Sequence, residues 1–260
     1  MPTTTTDDGI ELYYETAGSG ETVAFIGEAG LGGWQWGWQH GGVAGPYRSL
    51  VWDLRGTGRS EMPAGPYTVE RLAQDLERVL ADVAVRNAHL VGVGLGGMVA
   101  LQYAREFTRA QTLTLFNSAR SGTEIDCAAL RELYEPKTRS ETQESALVGW
   151  LSAPFREGNS DLIERIGSWR REGDADSDGF EAQLSAIEGF NAGPLYELTL
   201  PALVCHAVDD PVVSVEDGEA LAQDLPRGTF EPVEGRHLCF IEHSRAVTDR
   251  LCTFFDDTTE

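Results

Sequence analysis

The stretch LVGVGLGGMVAL, residues 90–101, decides how this chain is read. Leu90, Val91 and Val93 suit a short buried strand, and Met98, Val99, Ala100 and Leu101 suit a helix that starts at once after it. The stretch is therefore a strand-to-helix corner. The residue standing at its turn is Gly94.

Working outward from that corner, apolar β-branched runs alternate with helical stripes. ELYYETAG (11–18), TVAFIG (22–27), RSLVWDL (48–54) and HLVGVG (89–94) read as strands, as do TLTLFNS (112–118), PALVCHAV (201–208) and GTFEPVEG (228–235). Between them, a helix is expected from an N-cap at Thr68, with Leu72, Leu76, Val79, Leu80 and Val83 on one face. A second runs from Leu95 to Phe107, and a third closes the chain with Val247, Leu251 and Phe254. Alternating strands and helices imply an α/β protein with a mostly parallel sheet covered on both faces. Ligand sites in such sheets lie at the carboxyl ends of the strands.

The alternation stops between residues 120 and 198. AALRELYEP (128–136), ESALVGWLSAPF (144–155), DLIERIGSW (161–169) and EAQLSAIEGF (181–190) all look helical, with no strand between them. This implies a core made of 1–119 and 199–260 and a helical cap over 120–198. GDADSDG (173–179) reads as an exposed loop within the cap, and it lacks the spacing and terminal glutamate of a calcium loop.

Composition excludes several function classes. Acidic residues outnumber basic ones 42 to 20, for a net charge of −22, and Lys137 is the only lysine. Nucleic acid and anionic membranes would be repelled. A surface so acidic and lysine-poor resembles those of proteins from salt-loaded cytoplasm, where counterions screen self-repulsion. No apolar run is long enough to cross a membrane, and MPTTTTDDGIEL has neither a basic region nor an apolar signal core. A cytoplasmic location is expected. Cys127, Cys205, Cys239 and Cys252 form no CxxC pair, so they are expected to be free thiols and not a metal site.

Five local signatures fall in one order: GIELYYETAGSG (9–20), DLRGTGRSEMP (53–63), GVGLGGMVAL (92–101), VDDPVV (208–213) and GRHL (235–238). Together they resemble the α/β-hydrolase fold over nearly the whole chain. Within it, GPYTVERLAQDL (65–76), FNSARSGT (116–123) and LSAPFREGN (151–159) are similar to 3-oxoadipate enol-lactonases and related small-ester hydrolases. The resemblance implies a triad in the order nucleophile, acid, histidine, with the acid at Asp210 and the histidine at His237. It also implies an oxyanion hole made by the backbone N–H groups of Ala29 and Leu95.

Two positions depart from that pattern. The family's elbow is G-x-S-x-G with the serine in a left-handed backbone, and here Gly94 stands in the serine's place. Glycine keeps the corner without its oxygen. Where the family usually has His-Gly after the strand TVAFI, this chain has Gly27-Glu28. Glu28 either faces solvent, pairs with an arginine, or fills the volume left by the serine, where burial and the histidine would perturb its proton affinity.

Alternatives accompany each candidate. Asp209 competes with Asp210 as the triad acid, and Asp210 itself suits a cap for the helix beginning near Ser214. Trp34 and Trp36 are expected to line the mouth of an apolar pocket, although tryptophans at alternate positions, Trp38 included, are more often packing residues. Ser118, Ser121 and Cys239 are nucleophiles by type but sit in no elbow. GVGLGG also satisfies G-x-G-x-x-G, yet the next strand ends in Asn117 and Ser118 and not in an acid that could hold a ribose.

Two functions remain open from sequence, with the dinucleotide reading a minor third. One is an enzyme acting on a small apolar ester, lactone or carbonyl compound through His237 and Asp210. The other is a non-catalytic member of the fold binding a small hydrophobic ligand or a protein partner. The enzymatic reading requires neither cofactor nor metal.

Overall fold

The computed structural model describes residues 2–134 and 147–259. Its centre is the corner at residue 94. Strand β5 (Ala88–Val93) is wholly buried and passes through Gly94 straight into helix α3 (Leu95–Glu106). A Cβ on Gly92 would collide with the backbone of Gly96 and Gly97, so strand and helix can cross this closely only with glycine there.

Around β5 the sheet is built in sequence from β1 (Thr3–Thr5), β2 (Glu11–Gly18), β3 (Thr22–Ile26), β4 (Arg48–Trp52), β6 (Ala110–Phe116), β7 (Ala202–Ala207) and β8 (Gly228–Val233). Its order is β1-β2-β4-β3-β5-β6-β7-β8. The β1–β2 and β2–β4 pairs are antiparallel and the rest parallel. Helix α1 (Gly37–Val43) leads to β4 and packs on the closing helix, and α2 (Val69–Asp82) packs on α3. The Thr68 side chain accepts from Arg71 N at the start of α2, a cap worth about 1 kcal/mol. Leu72, Leu76, Val79 and Leu80 of that helix are fully buried.

Between β6 and β7 the described residues contain α4 (Cys127–Leu133), α5 (Ala153–Gly158), α6 (Ser160–Gly173) and α7 (Ser177–Glu188), with no strand. Residues 135 and 136 of the first expected cap helix and 144–146 of the second lie outside the described residues. The expected exposed loop at 173–179 is corrected in part: Asp176, Ser177 and Asp178 are exposed, but Gly173 ends α6, Ser177 begins α7, and Asp174 and Ala175 between them are buried. Asp174 is held inward by the Gly32 amide, the Trp34 indole and the Arg170 guanidinium, partners that composition does not reveal. After β7 come α8 (Val215–Asp224), then β8, α9 (Cys239–Glu242) and α10 (Ser244–Thr259). Strand β1 has no counterpart in the sequence reading, because TTT carries no hydrophobic alternation.

Cys205 and Cys239 are buried and Cys127 and Cys252 partly so, all as free thiols. Among the described residues no helix is long and apolar enough to cross a membrane.

Candidate functional site

Three loops at the carboxyl ends of the parallel strands meet above Gly94. The first follows β3 and carries Glu28 and Ala29, the second follows β7 and carries Asp210, and the third follows β8 and carries His237. Gly94 has φ +50°, ψ −112°, the strained turn that presents a side chain above the sheet in a serine hydrolase, and glycine adopts it without a Cβ penalty.

His237 and Asp210 are in contact. The imidazole Nδ1 lies 2.9 Å from each carboxylate oxygen of Asp210. Asp210 Oδ1 also accepts from Val212 N at 2.8 Å, while α8 is capped by Ser214 instead, so Asp210 is free of the capping role. Asp209 is exposed and makes no contact with the ring. His206 lies 3.9 Å from Asp210; burial holds it neutral and it hydrogen-bonds the Val213 carbonyl, so it does not compete for the carboxylate.

Glu28 fills the place where the serine oxygen would stand. Its Oε2 is 2.7 Å from His237 Nε2, and its Oε1 accepts from Ala29 N at 2.5 Å and Leu95 N at 3.1 Å. One carboxylate thus spans the histidine and both backbone N–H groups expected to form an oxyanion hole. A Cβ built on Gly94 would overlap Oε2 itself. The two departures from the family pattern are therefore one steric unit: a side chain at 94 and a seated Glu28 exclude each other.

The seat is closed. Glu28 is 1% exposed and His237 0%. Gln35, which is fully buried, accepts from Glu28 N with Oε1 and donates from Nε2 to the carbonyls of Leu31 and Gly32, fixing the loop that carries Glu28. From above, Gln183 of α7 accepts from Gly30 N and donates to Arg55 O and Thr57 Oγ1. Tyr134 and Phe180 stack at 3.8 Å over Gly30, and Trp150 sets its ring edge-on to His237 at 5.4 Å.

Charge follows from this geometry. Burial pulls the proton affinity of His237 down, but Asp210 on one side and Glu28 on the other more than offset it, raising its pKa to about 10. At neutral pH the ring is an imidazolium clamped between two carboxylates. It holds no lone pair with which to accept a proton.

The remaining candidates separate. Ser118 lies beneath the corner, donating to Gly94 O at 2.8 Å, and Ser121 caps a short turn through Thr123 N. Cys239 is a thiol whose pKa is pushed up to about 12 by burial. Trp36 is a correction: it is fully buried in the core, stacked on Phe240 at 4.3 Å and tilted against Phe25 at 5.1 Å, because the short 3₁₀ turn over 33–36 rotates it inward. Trp34 does line a cavity, but one to which Glu28, Gly94 and His237 contribute nothing. Among the described residues no group of His, Cys, Asp and Glu has the arrangement to hold a metal.

Sequence reasoning missed Asn117. It follows β6 with φ +45°, donates from Nδ2 to His237 O at 2.6 Å and accepts from Ala207 N at 2.7 Å. It ties the histidine's loop to the strand that leads to Asp210. An asparagine just past a buried strand is a signal for such a backbone, since Asn enters the left-handed region more readily than most residues.

An eight-stranded sheet of this order, with an acid, a histidine and a strained turn at three loop ends, defines the α/β-hydrolase architecture. The sequence matches the alpha/beta hydrolase family over residues 25–250, and the chain belongs to that family. It is 25% identical over 250 residues to 3-oxoadipate enol-lactonase 2 of Acinetobacter baylyi, covering 94% of this chain and 92% of that one. It is 29% identical over 255 residues to the non-heme chloroperoxidase CPO-A1 of Kitasatospora aureofaciens, covering 90% and 91%. The solved enol-lactonase of Burkholderia xenovorans LB400 superposes with a TM-score of 0.87 at 23% identity, over 98% of this chain and all of that one, which speaks to the fold.

Proposed function

We propose that the chain hydrolyses a small apolar ester, lactone or related carbonyl compound without a covalent serine intermediate, and that Glu28 is a removable plug in its site. The observation that carries this reading is that one carboxylate occupies both the oxyanion hole and the histidine.

A substrate carbonyl oxygen can reach the amides of Ala29 and Leu95 only if Glu28 leaves. Tyr134 and Phe180 stack over Gly30 and Trp150 lies edge-on to His237, surroundings in which a displaced ionised carboxylate is costly and a neutral acid much less so. Glu28 therefore departs with the proton of His237 Nε2. Opening the hole and returning a lone pair to the histidine are then one event.

From that state the chemistry is general-base hydrolysis. His237 Nε2 takes a proton from a water standing where the serine would be, and the water oxygen bonds to the carbonyl carbon. The charge that develops on the carbonyl oxygen is received by the two amides. Collapse breaks the bond to the leaving oxygen, which takes the proton from Nε2. Asp210 orients the ring and stabilises its charged form throughout. Tyr134, Trp150 and Phe180, which pack over Gly30 and His237, keep bulk water out.

The family relationship and the likeness to enol-lactonase support the substrate class. A panel of small esters and lactones tests it: turnover is expected, and His237→Ala should abolish it. One observation favours a second reading, a non-catalytic binding protein: Glu28 already satisfies every donor at the site. If neither the native chain nor Glu28→Ala turns over any of the panel, the second reading stands and the first falls.

A further inference from the structure

Two cavities of about 450 and 440 Å³ adjoin on the flank of the molecule, sharing Trp34, Gly37 and Trp169. Their walls come from α6, from the start of α1, and from β2 and β4, and neither cavity includes a residue of the Glu28 site. Nothing in the proposed hydrolysis uses them. The geometry points to a second ligand site here, for a small organic cation with an apolar or aromatic body, such as an alkylated ammonium compound.

The walls are unusually rich in π faces. Tyr13, Trp34, Trp52 and Trp169 line the first lobe, and Trp38 joins in the second, where its ring meets Trp169 edge-on at 6.0 Å. These rings are held in place before any ligand arrives. Trp34 Nε1 donates to Asp174 at 2.6 Å, and Asp174 is itself buried and fixed by Arg170 and the Gly32 amide. Trp52 is 2% exposed.

Two of the faces already receive cations from the chain itself. The Arg59 guanidinium lies 4.0 Å from the centre of the Tyr13 ring, and that of Arg165 lies 5.1 Å from Trp169. An electron-rich face of tryptophan is the best partner a cation finds among aromatic side chains. Trp34, half-buried, is shared by the two cavities that Arg59 and Arg165 line, while Trp52 closes the floor beneath it.

Charge points the same way. The first lobe carries Glu15, Asp53 and Glu172 against Arg59 alone, and burial keeps His40 neutral. Glu15 is paired with Arg59 at 3.2 Å, and Asp53 spends both oxygens on the backbone N–H groups of Gly33 and Arg59. Glu172, exposed at the rim, has no ion pair among the described residues. On a chain of net charge −22, anions are repelled and cations concentrated at such a rim.

The test is calorimetric titration of the full chain with three probes: benzyltrimethylammonium, choline, and 3,3-dimethylbutan-1-ol, the uncharged carbon isostere of choline. Saturable binding of benzyltrimethylammonium is expected, with choline bound about tenfold more tightly than its isostere. Trp169→Ala and the surface change Glu172→Lys should each weaken binding tenfold or more, and His237→Ala should leave it unchanged. Equal affinity for choline and its isostere would refute the cationic preference. Loss of binding in His237→Ala, indifference to both groove variants, or no saturation at tens of millimolar probe would refute the site. None of these outcomes depends on whether esters are hydrolysed.

Discussion

Replacing Glu28 with glutamine keeps the shape of the plug and removes one of the two charges that hold the proton on His237. A unit charge pair at about 4 Å in an effective dielectric of about 20 is worth about 4 kcal/mol, which corresponds to about 3 pKa units. The imidazole, now facing Asp210 alone, should therefore fall from about 10 to about 7. The stability profile should move with it. A histidine whose folded pKa is raised above the usual value near 6.5 stabilises the fold fully below that value, and the contribution is lost as pH rises through the folded pKa. The native chain should thus lose this contribution progressively between about pH 6.5 and about pH 10, whereas Glu28→Gln, with little raised affinity left, should have lost it by about pH 7. Nitrogen-15 spectra of histidine-labelled protein, recorded from pH 5 to 11 beside urea melts, read both quantities. A native His237 that is neutral at pH 8, or a variant titrating within half a unit of the native chain, would refute the clamped imidazolium.

Further outcomes follow from the same contacts. Gly94→Ser alone must expel Glu28 from a buried ion pair and should cost about 3–5 kcal/mol in urea denaturation. Adding Glu28→Ala should recover most of that and raise ester turnover by orders of magnitude above either single change, measured on a chromogenic acetate; a flat double variant would show that the hole or the histidine is misplaced. Asn117→Ala leaves a buried carbonyl at His237 and a buried N–H at Ala207 without partners, and should destabilise by about 2–5 kcal/mol. Thr68→Ala, far from the site, should cost about 1 kcal/mol in the same melts and change no activity.

Much of the architecture was legible because its signals are local. Gly92 sits where strand and helix backbones crowd, Gly94 holds the positive φ of the turn, Thr68 caps α2, and the loops after β7 and β8 carry their acid and histidine within a few residues of recognisable strands. The meeting of Asp210, His237 and Glu28 was not visible in the same way. The nearest of those contacts in sequence spans 27 residues and the farthest 209. For Glu28, residue type and position left three directions open, and the choice among them depends on the empty volume at residue 94. Trp36 and Asp174 misled for a related reason. A tryptophan beside glycines and an aspartate among aspartates both look exposed, yet one fills the core against Phe240 and the other collects three donors from two separate segments. Asn117 was read only as the end of a strand, since its two backbone partners lie 90 and 120 residues away.

The mutual exclusion at 28 and 94 couples the two positions in any redesign. A hydroxyl at 94 has no room while the Glu28 carboxylate lies where it does. A nucleophile can be installed at the corner only by altering both positions together, so a search that samples one codon at a time passes through a strained intermediate.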